Sequence, residues 1–278
     1  MEKLLTSSQI YDYASNGFTS GIQVINEKEL SWCNSEIERF EERTEKPIDF
    51  PHKSKPHHLF EWADYLVHHP KILDAVEDLI GQNILCYHAT LWIKPAQSEA
   101  YVRWHQDGTY FFLKPPLHVT AWVALTQADE QAGCMKILPG SHLNDILPHD
   151  DDHNTLNLIP RGQGIADTID VARAKSMPLD PGQMSLHHTN AIHASFANER
   201  STRRIGLGIS YIPTECKNIG SMPATALLVR GNDEFNHLQV EKRLFAAETI
   251  AQYDYHQELM TIFRNRQDEG TKQPTGAL

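Results

Sequence analysis

From Asn83 onward the chain stops reading as helix and becomes a series of short β-branched or aromatic runs at residues 84–94, 119–126, 134–138, 184–188 and 205–212. Gly and Pro punctuate them, as in Lys114-Pro115-Pro116, Pro139-Gly140-Ser141 and Asp180-Pro181-Gly182. Many strands at short spacing behind a helical front specify a mainly β barrel or sandwich with packed helices. The front carries its own signals. Thr6, Ser7 or Ser8 can cap a first helix that Gly17 stops, and 18–25 reads as a strand. Leu30, Cys33, Ile37 and Phe40 recur at helical spacing within 27–43, and two more helices fall at 59–68 and 70–79, the latter opened by Pro70 and closed by Gly81. The expected organisation is a single domain: a helical part over about 1–82, a barrel over about 83–213, and a mostly helical extension over about 214–278. Residues 143–178 show no period and read as a long excursion at the barrel mouth.

The chemistry centres on Trp104-His105-Gln106-Asp107-Gly108. Side chains of extended chain alternate faces, so His105 and Asp107 point the same way. One imidazole and one carboxylate make two thirds of the 2-His-1-carboxylate triad that suits non-haem Fe(II). Alone, a His-x-Asp triplet is weak evidence, since most histidines are structural. The aromatic run Tyr110-Phe111-Phe112 beside it suggests the edge of an apolar pocket. A third ligand must come from His187, His188 or His193. The first two point to opposite faces of one strand, whereas His193 follows a turn and shares a face with Ser195. Arg204 follows 11 residues later, and its forked guanidinium can grip a carboxylate. That makes His193 the better candidate, with His187 and His188 as core residues or residues supporting the ligands.

Charge and cysteine content narrow the class. A formal net charge of −11 disfavours nucleic-acid binding. Cys33, Cys86, Cys134 and Cys216 form no CxxC pair and suit reduced structural thiols. No run of 18 apolar residues and no signal-peptide core is present, so the expectation is a cytoplasmic protein with no membrane partner.

The chain resembles the phytanoyl-CoA dioxygenase family of Fe(II)- and 2-oxoglutarate-dependent oxygenases. The resemblance rests on Trp104-His105-Gln106-Asp107, on 120–125, on 133–142 with its Pro139-Gly140-Ser141-His142 turn, and on the span from Gly182 through His193 and Asn198 to Arg204. It runs to about Pro213. It implies a double-stranded β-helix (a jelly-roll, cupin-like barrel) in which His105, Asp107 and His193 hold Fe(II). Arg204 and Ser195 would bind 2-oxoglutarate, with Thr90, Gln106 and Trp122 lining it. O2 would be the second cosubstrate, and the keto acid would be oxidatively decarboxylated as a substrate is hydroxylated. Halogenating relatives replace the acidic ligand with a small residue, so Asp107 argues against halogenation. The Pro139-Gly140-Ser141-His142 turn is expected to be architectural.

A long acyl-CoA would favour a basic entrance, which a −11 chain makes a poor fit. The motif texture is similar to the branch of the family that hydroxylates 2-aminoethylphosphonate. Arg103, Tyr110, Lys94 and Arg161 are the candidates for contacting such a substrate, each weighed against an ordinary surface role. His149-Asp150-Asp151-Asp152-His153 reads as a solvated run rather than a second metal site. The competing readings are a hydroxylase of a free amino acid or other small metabolite, a non-catalytic metal-binding barrel, and a zinc hydrolase. Arg204 beside Ser195 counts against the second, and the want of an acidic residue near His193 counts against the third. Monomer and homodimer both remain open.

Overall fold

A computed structural model describes residues 3–152, 154–159, 163–243 and 249–270, so Arg161 and His153 lie outside the described residues. Helix α1 (Ser7–Asn16) starts at Thr6, whose hydroxyl accepts from the Gln9 amide while the Gln9 side chain accepts from that of Thr6. Gly17 ends it at φ 85°, and a Cβ there would meet the His142 ring at 2.6 Å, so glycine is required twice over. α2 (Glu27–Thr44) is opened by an Asn26–Glu29 capping box and buries Cys33, Ile37 and Phe40, the stripe legible in the sequence. α3 (Glu61–Val67) and α4 (Pro70–Ile80) complete the helical layer.

The strands are β1 (Phe18–Gln23), β2 (Ile84–Lys94), β3 (Val102–His105), β4 (Leu113–Lys114), β5 (Val119–Ala124), β6 (Met135–Ile137), β7 (His149–Asp150), β8 (Gly164–Ile165), β9 (Lys175–Met177), β10 (Gln183–His188), β11 (His193–Ser195), β12 (Arg204–Pro213), β13 (Lys217–Asn218), β14 (Thr225–Arg230) and β15 (Gln239–Val240). A short α5 (Gly108–Phe111) follows β3, and α6 (Ile250–Gly270) follows β15. One sheet has the order β1-β10-β5-β12-β2-β14-β15 and a second the order β3-β11-β6-β9. Side chains from both sheets line one cavity between them, the arrangement of a jelly-roll barrel. Period-two alternation divides the large sheet cleanly. Ala89, Leu91, Ala121, Val123, Leu186, Ile205, Leu207 and Ile209 pack on the helices. Their neighbours His88, Thr90, Trp92, Thr120, Trp122, His187, Gly208 and Ser210 face the cavity.

Two expectations need correction. The stretch from 214 is not helical throughout: β13, β14 and β15 precede α6. Thr225-Ala226-Leu227-Leu228-Val229-Arg230 contains good helix formers, but the edge of β2 accepts it antiparallel and Leu227 enters the core, so pairing and burial override propensity. The 143–178 excursion is also not structureless. β7 pairs with β8, and β9 extends the smaller sheet at β6.

A buried ion pair fastens β15 and the chain beyond it to the barrel. Lys55 Nζ donates to Glu241 Oε1 and to the Tyr87 carbonyl, His58 Nε2 lies 2.6 Å from Glu241 Oε2, and Thr225 Oγ1 donates to Oε1 at 2.6 Å. Burial alone would raise the Glu241 carboxyl, but the Lys55 charge and the neighbouring His57 and His58 imidazoles hold it well below the usual range. His57, His58 and Glu241 lie close enough to share a metal, yet the Lys55 ammonium already holds one carboxylate oxygen, and we assign the cluster as structural. Glu241→Ala strands a buried ammonium and should cost about 3–5 kcal/mol. Urea unfolding curves that coincide for the variant and the parent would refute this role.

Candidate metal centre

His105 ends β3, His193 opens β11, and the two are cross-strand partners in register. Their imidazoles are therefore neighbours, with ring centroids 4.0 Å apart. Each ring is oriented from behind. His105 Nδ1 donates to the Arg103 carbonyl at 2.8 Å, and His193 Nδ1 donates to the Ala191 carbonyl at 2.9 Å. A carbonyl only accepts, so both hydrogens sit on Nδ1 and both Nε2 lone pairs are free for a metal. Asp107 Oδ1 lies 3.4 Å from His105 Nε2 and 3.9 Å from His193 Nε2. Facial positions of an octahedron with bonds of about 2.1 Å are about 3 Å apart, so these donors need only a small contraction around a divalent ion.

The second Asp107 oxygen is held separately. Thr120 Oγ1 donates to Oδ2 at 2.9 Å, and His187 Nε2 is 3.4 Å from the same atom. Behind Thr120, a buried chain continues through His118 Nε2 at 3.1 Å, and His118 Nδ1 lies 2.8 Å from Thr189 Oγ1. Burial would raise the Asp107 carboxyl, but the close His105, His187 and His193 imidazoles outweigh it and hold the group well below its ordinary value. Burial pushes the His193 imidazole well below its usual value, with His105 and His187 adding to the effect. A carboxylate beside an imidazole kept uncharged, as His193 is, is the form a metal binds.

At the far end of the cavity β12 presents Arg204, paired in register with Lys94 of β2. Arg204 is 3% exposed, its guanidinium lies over the Trp122 ring at 5.2 Å, Nη1 donates to the Gly133 carbonyl, and Nε has no partner among the described residues. Gly206 makes this possible, because a Cβ there would lie 2.0 Å from the Trp122 ring. Lys94 is fully buried, donating to Ser195 Oγ at 2.8 Å and to the Phe196 carbonyl. Burial, reinforced by Arg204, pushes its ammonium down to about 6, and burial lowers Arg204 to about 10. No carboxylate among the described residues pairs with either. Arg204, a buried cation lining the cavity without an anion, and Lys94 beside it, which an incoming anion would recharge, form a receptor for a carboxylate.

The structure brings His105, Asp107, His193, Ser195, Arg204, Thr90 and Trp122 together around a cavity of about 680 Å³, part of it open to solvent. It separates others. Gln106 is buried on the opposite face, donating to the Asn190 carbonyl and accepting from the Leu147 amide. Gln106, the first residue past β3, points away from His105 and Asp107, so it does not line the cavity. Arg103 pairs with Asp150 at 2.9 Å and reaches the Ile165 carbonyl, tying the β7–β8 excursion to β3 rather than meeting a substrate. Tyr110 sits outside the cavity lining, with its ring 6.2 Å from those of His105 and His149. Lys94 stands at the Arg204 end, not at an entrance. The Pro139-Gly140-Ser141-His142 turn is architectural: Ser141 Oγ accepts from the Ile192 amide at 2.9 Å and so fixes the residue before His193. His149 is held between the Leu147 carbonyl and the Gln106 amide, which suits a structural residue. The sequence reading missed Thr120, His118, His88 and Ser210. Thr120 carried a signal, because it shares the strand face of Trp122.

A family model described as phytanoyl-CoA dioxygenase (PhyH) matches residues 13–206. A probable alpha-ketoglutarate-dependent hypophosphite dioxygenase of Stutzerimonas stutzeri is 28% identical over 206 residues, covering 71% of each chain. The human peroxisomal phytanoyl-CoA dioxygenase is 29% identical over 154 residues, which cover 54% of this chain and 46% of that one. Among solved structures, a non-heme monooxygenase, ThoJ, superimposes in its apo form with a TM-score of 0.82 at 31% identity, covering 95% of this chain and 98% of that one. Its nickel complex gives 0.78 at 28% identity, covering 94% and 99%. CytC3 with Fe(II) and alpha-ketoglutarate, at 19% identity and a TM-score of 0.65 over 90% and 99% of the two chains, shares the fold.

Proposed function

The chain belongs to the phytanoyl-CoA dioxygenase family, and from that premise we propose that it hydroxylates a small polar substrate, an organophosphonate such as 2-aminoethylphosphonate or a related phosphorus oxyanion. The enzyme class is a non-haem Fe(II)- and 2-oxoglutarate-dependent oxygenase. One observation carries this reading: a 2-His-1-carboxylate set and the unneutralised buried Arg204, with Lys94 beside it, meet at the same cavity. A bare binding barrel has no use for the second feature, and a zinc hydrolase has none either. The substrate class is supported by the hypophosphite dioxygenase relative and by an acidic chain that offers little to a long, polyanionic coenzyme.

Iron held by His105, Asp107 and His193 would supply the redox chemistry that couples oxidative decarboxylation of the keto acid by O2 to hydroxylation of the substrate. The protein's own residues do the rest. Arg204, Lys94 and Ser195 take the distal carboxylate and orient the keto acid's other end toward His105, Asp107 and His193. Thr120 occupies Asp107 Oδ2 and leaves Oδ1 to the metal. Trp92, Trp122, Val102, Met135 and Phe111 line the cavity and exclude water from it.

Succinate formation by Fe(II)-loaded protein in air, with 2-oxoglutarate and a panel of phosphonates, amino acids and small amines, tests the proposal. A phosphonate or phosphinate should stimulate turnover at least about tenfold over the uncoupled background. Stimulation by an amino acid alone would transfer the assignment to the amino-acid hydroxylase reading. No iron-dependent turnover in folded, loaded protein would remove the oxygenase assignment altogether.

A further inference from the structure

One row of the cavity wall is used neither by the metal donors nor by the carboxylate grip. Cross-strand register aligns His88 on β2 with Ser210 on β12, Ser210 with Thr120 on β5, and Thr120 with His187 on β10. All four line the cavity. Strands are about 4.8 Å apart, so the row spans about 14 Å across four neighbouring strands. Ser210 lies six residues along β12 from Arg204, about 20 Å of extended chain, so the row stands well clear of the carboxylate grip. It is level with the metal set, because Thr120 holds Asp107.

Each of the two histidines has at least one ring nitrogen without a hydrogen-bond partner among the described residues. His187 is 1% exposed, and neither ring nitrogen makes a hydrogen bond, although Nε2 sits 3.4 Å from Asp107 Oδ2. His88 is fixed on two sides. Its Nε2 lies 3.0 Å from Ser54 Oγ, and its ring stacks on Phe263 of α6 at 4.1 Å and 14°. Its Nδ1 has no partner. Burial, with Lys55 and His57 behind it, lowers the His88 imidazole well below its usual value. Buried polar nitrogens in natural proteins are nearly always satisfied, so orphaned ones in a cavity wall mark what a ligand completes.

We propose that His88, Ser210 and His187 form the recognition wall for the substrate's headgroup, donating N–H and O–H hydrogen bonds to the oxygens of a small tetrahedral oxyanion of the phosphonate or phosphinate class. The assignment rests on the substrate reading above. Hydrogen bonds to a charged acceptor are strong without a cation, and donors on three strands match several oxygens of one headgroup.

The test uses full-length protein loaded with redox-inert Ni(II) and saturated with 2-oxoglutarate, titrated with 2-aminoethylphosphonate and with inorganic phosphite by calorimetry and phosphorus NMR. His88→Phe keeps the stack on Phe263 but removes both nitrogens. Ser210→Ala and His187→Phe remove the other donors. Each should weaken the bound oxyanion about tenfold or more, while the affinity for 2-oxoglutarate in the His88 and Ser210 variants stays within twofold and reports intact folding. Unchanged oxyanion affinity in all three variants would overturn the wall and leave the substrate class standing. No binding of either oxyanion to the parent protein, with 2-oxoglutarate still bound, would overturn the substrate class and the wall with it.

Discussion

Asp107→Ala should abolish Fe(II)-dependent succinate formation, lowering it by at least about 10³-fold, and should weaken Ni(II) or Fe(II) binding about 10–100-fold. The substitution removes the only carboxylate in the His105–His193 set. It also unburdens Thr120 and His187, whose contacts converge on Asp107 Oδ2. The depressed Asp107 carboxyl contributes stability at neutral pH, so the metal-free variant should also unfold somewhat earlier than the parent. Retained metal-dependent turnover would mean that another group, such as His187, completes the site.

Removing the carboxylate grip should separate cosubstrate binding from stability. Arg204→Met and Lys94→Met should each raise the KM for 2-oxoglutarate about 100-fold or more, the scale of a lost charge-assisted contact in a buried site. Lys94→Met should also stabilise the cosubstrate-free protein by on the order of 2 kcal/mol at neutral pH, because burial has pushed its ammonium from 10.5 down to about 6. The sign follows from proton counting. Between about pH 6 and 10.5 the unfolded chain holds a proton on Lys94 that the folded protein lacks, so the Lys94 contribution to stability improves as pH rises through that window. A dicarboxylate placed against Lys94 recharges it. Binding of 2-oxoglutarate at pH 7.5 should therefore take up a proton, and its affinity should fall as pH rises above about 6. Calorimetry in two buffers of different ionisation enthalpy reads that proton directly. Equal apparent enthalpies would show that Lys94 is charged before the cosubstrate arrives.

What the sequence disclosed and what it withheld divide along the range of the interactions. His105 and Asp107 were legible as an i, i+2 pair, although β3 ends at His105 and Asp107 reaches the same site from helical backbone at the start of α5. The helix starts at Thr6, Asn26 and Pro70 were legible because caps are local. Gln106 shows the limit of reading a motif as a unit, because it points away from both of its neighbours. Lys94 was read as a substrate-contacting residue because nothing local says that β2 pairs with β12 in the register that sets it beside Arg204. His88 and Ser210 escaped for the same reason: each is unremarkable alone and gains meaning only across the sheet. The strand at 225–230 was hidden by its own composition, since Ala and Leu suit a helix until an open sheet edge is nearby. The two-residue strands of the 143–178 excursion are too short to show any period.

The seating of α6 bears on how the molecule is made. Phe263 backs His88, Arg266 donates to the Phe111 carbonyl and to Asn218 Oδ1, and His256 reaches the Ser54 carbonyl. His105, Asp107, His193 and Arg204 all precede residue 205, whereas this buttress begins at Ile250. In ribosomal synthesis the metal donors and the carboxylate grip are therefore translated before the helix that steadies the opposite wall. What the last-made helix adds is the backing behind His88, not the groups that face the cavity.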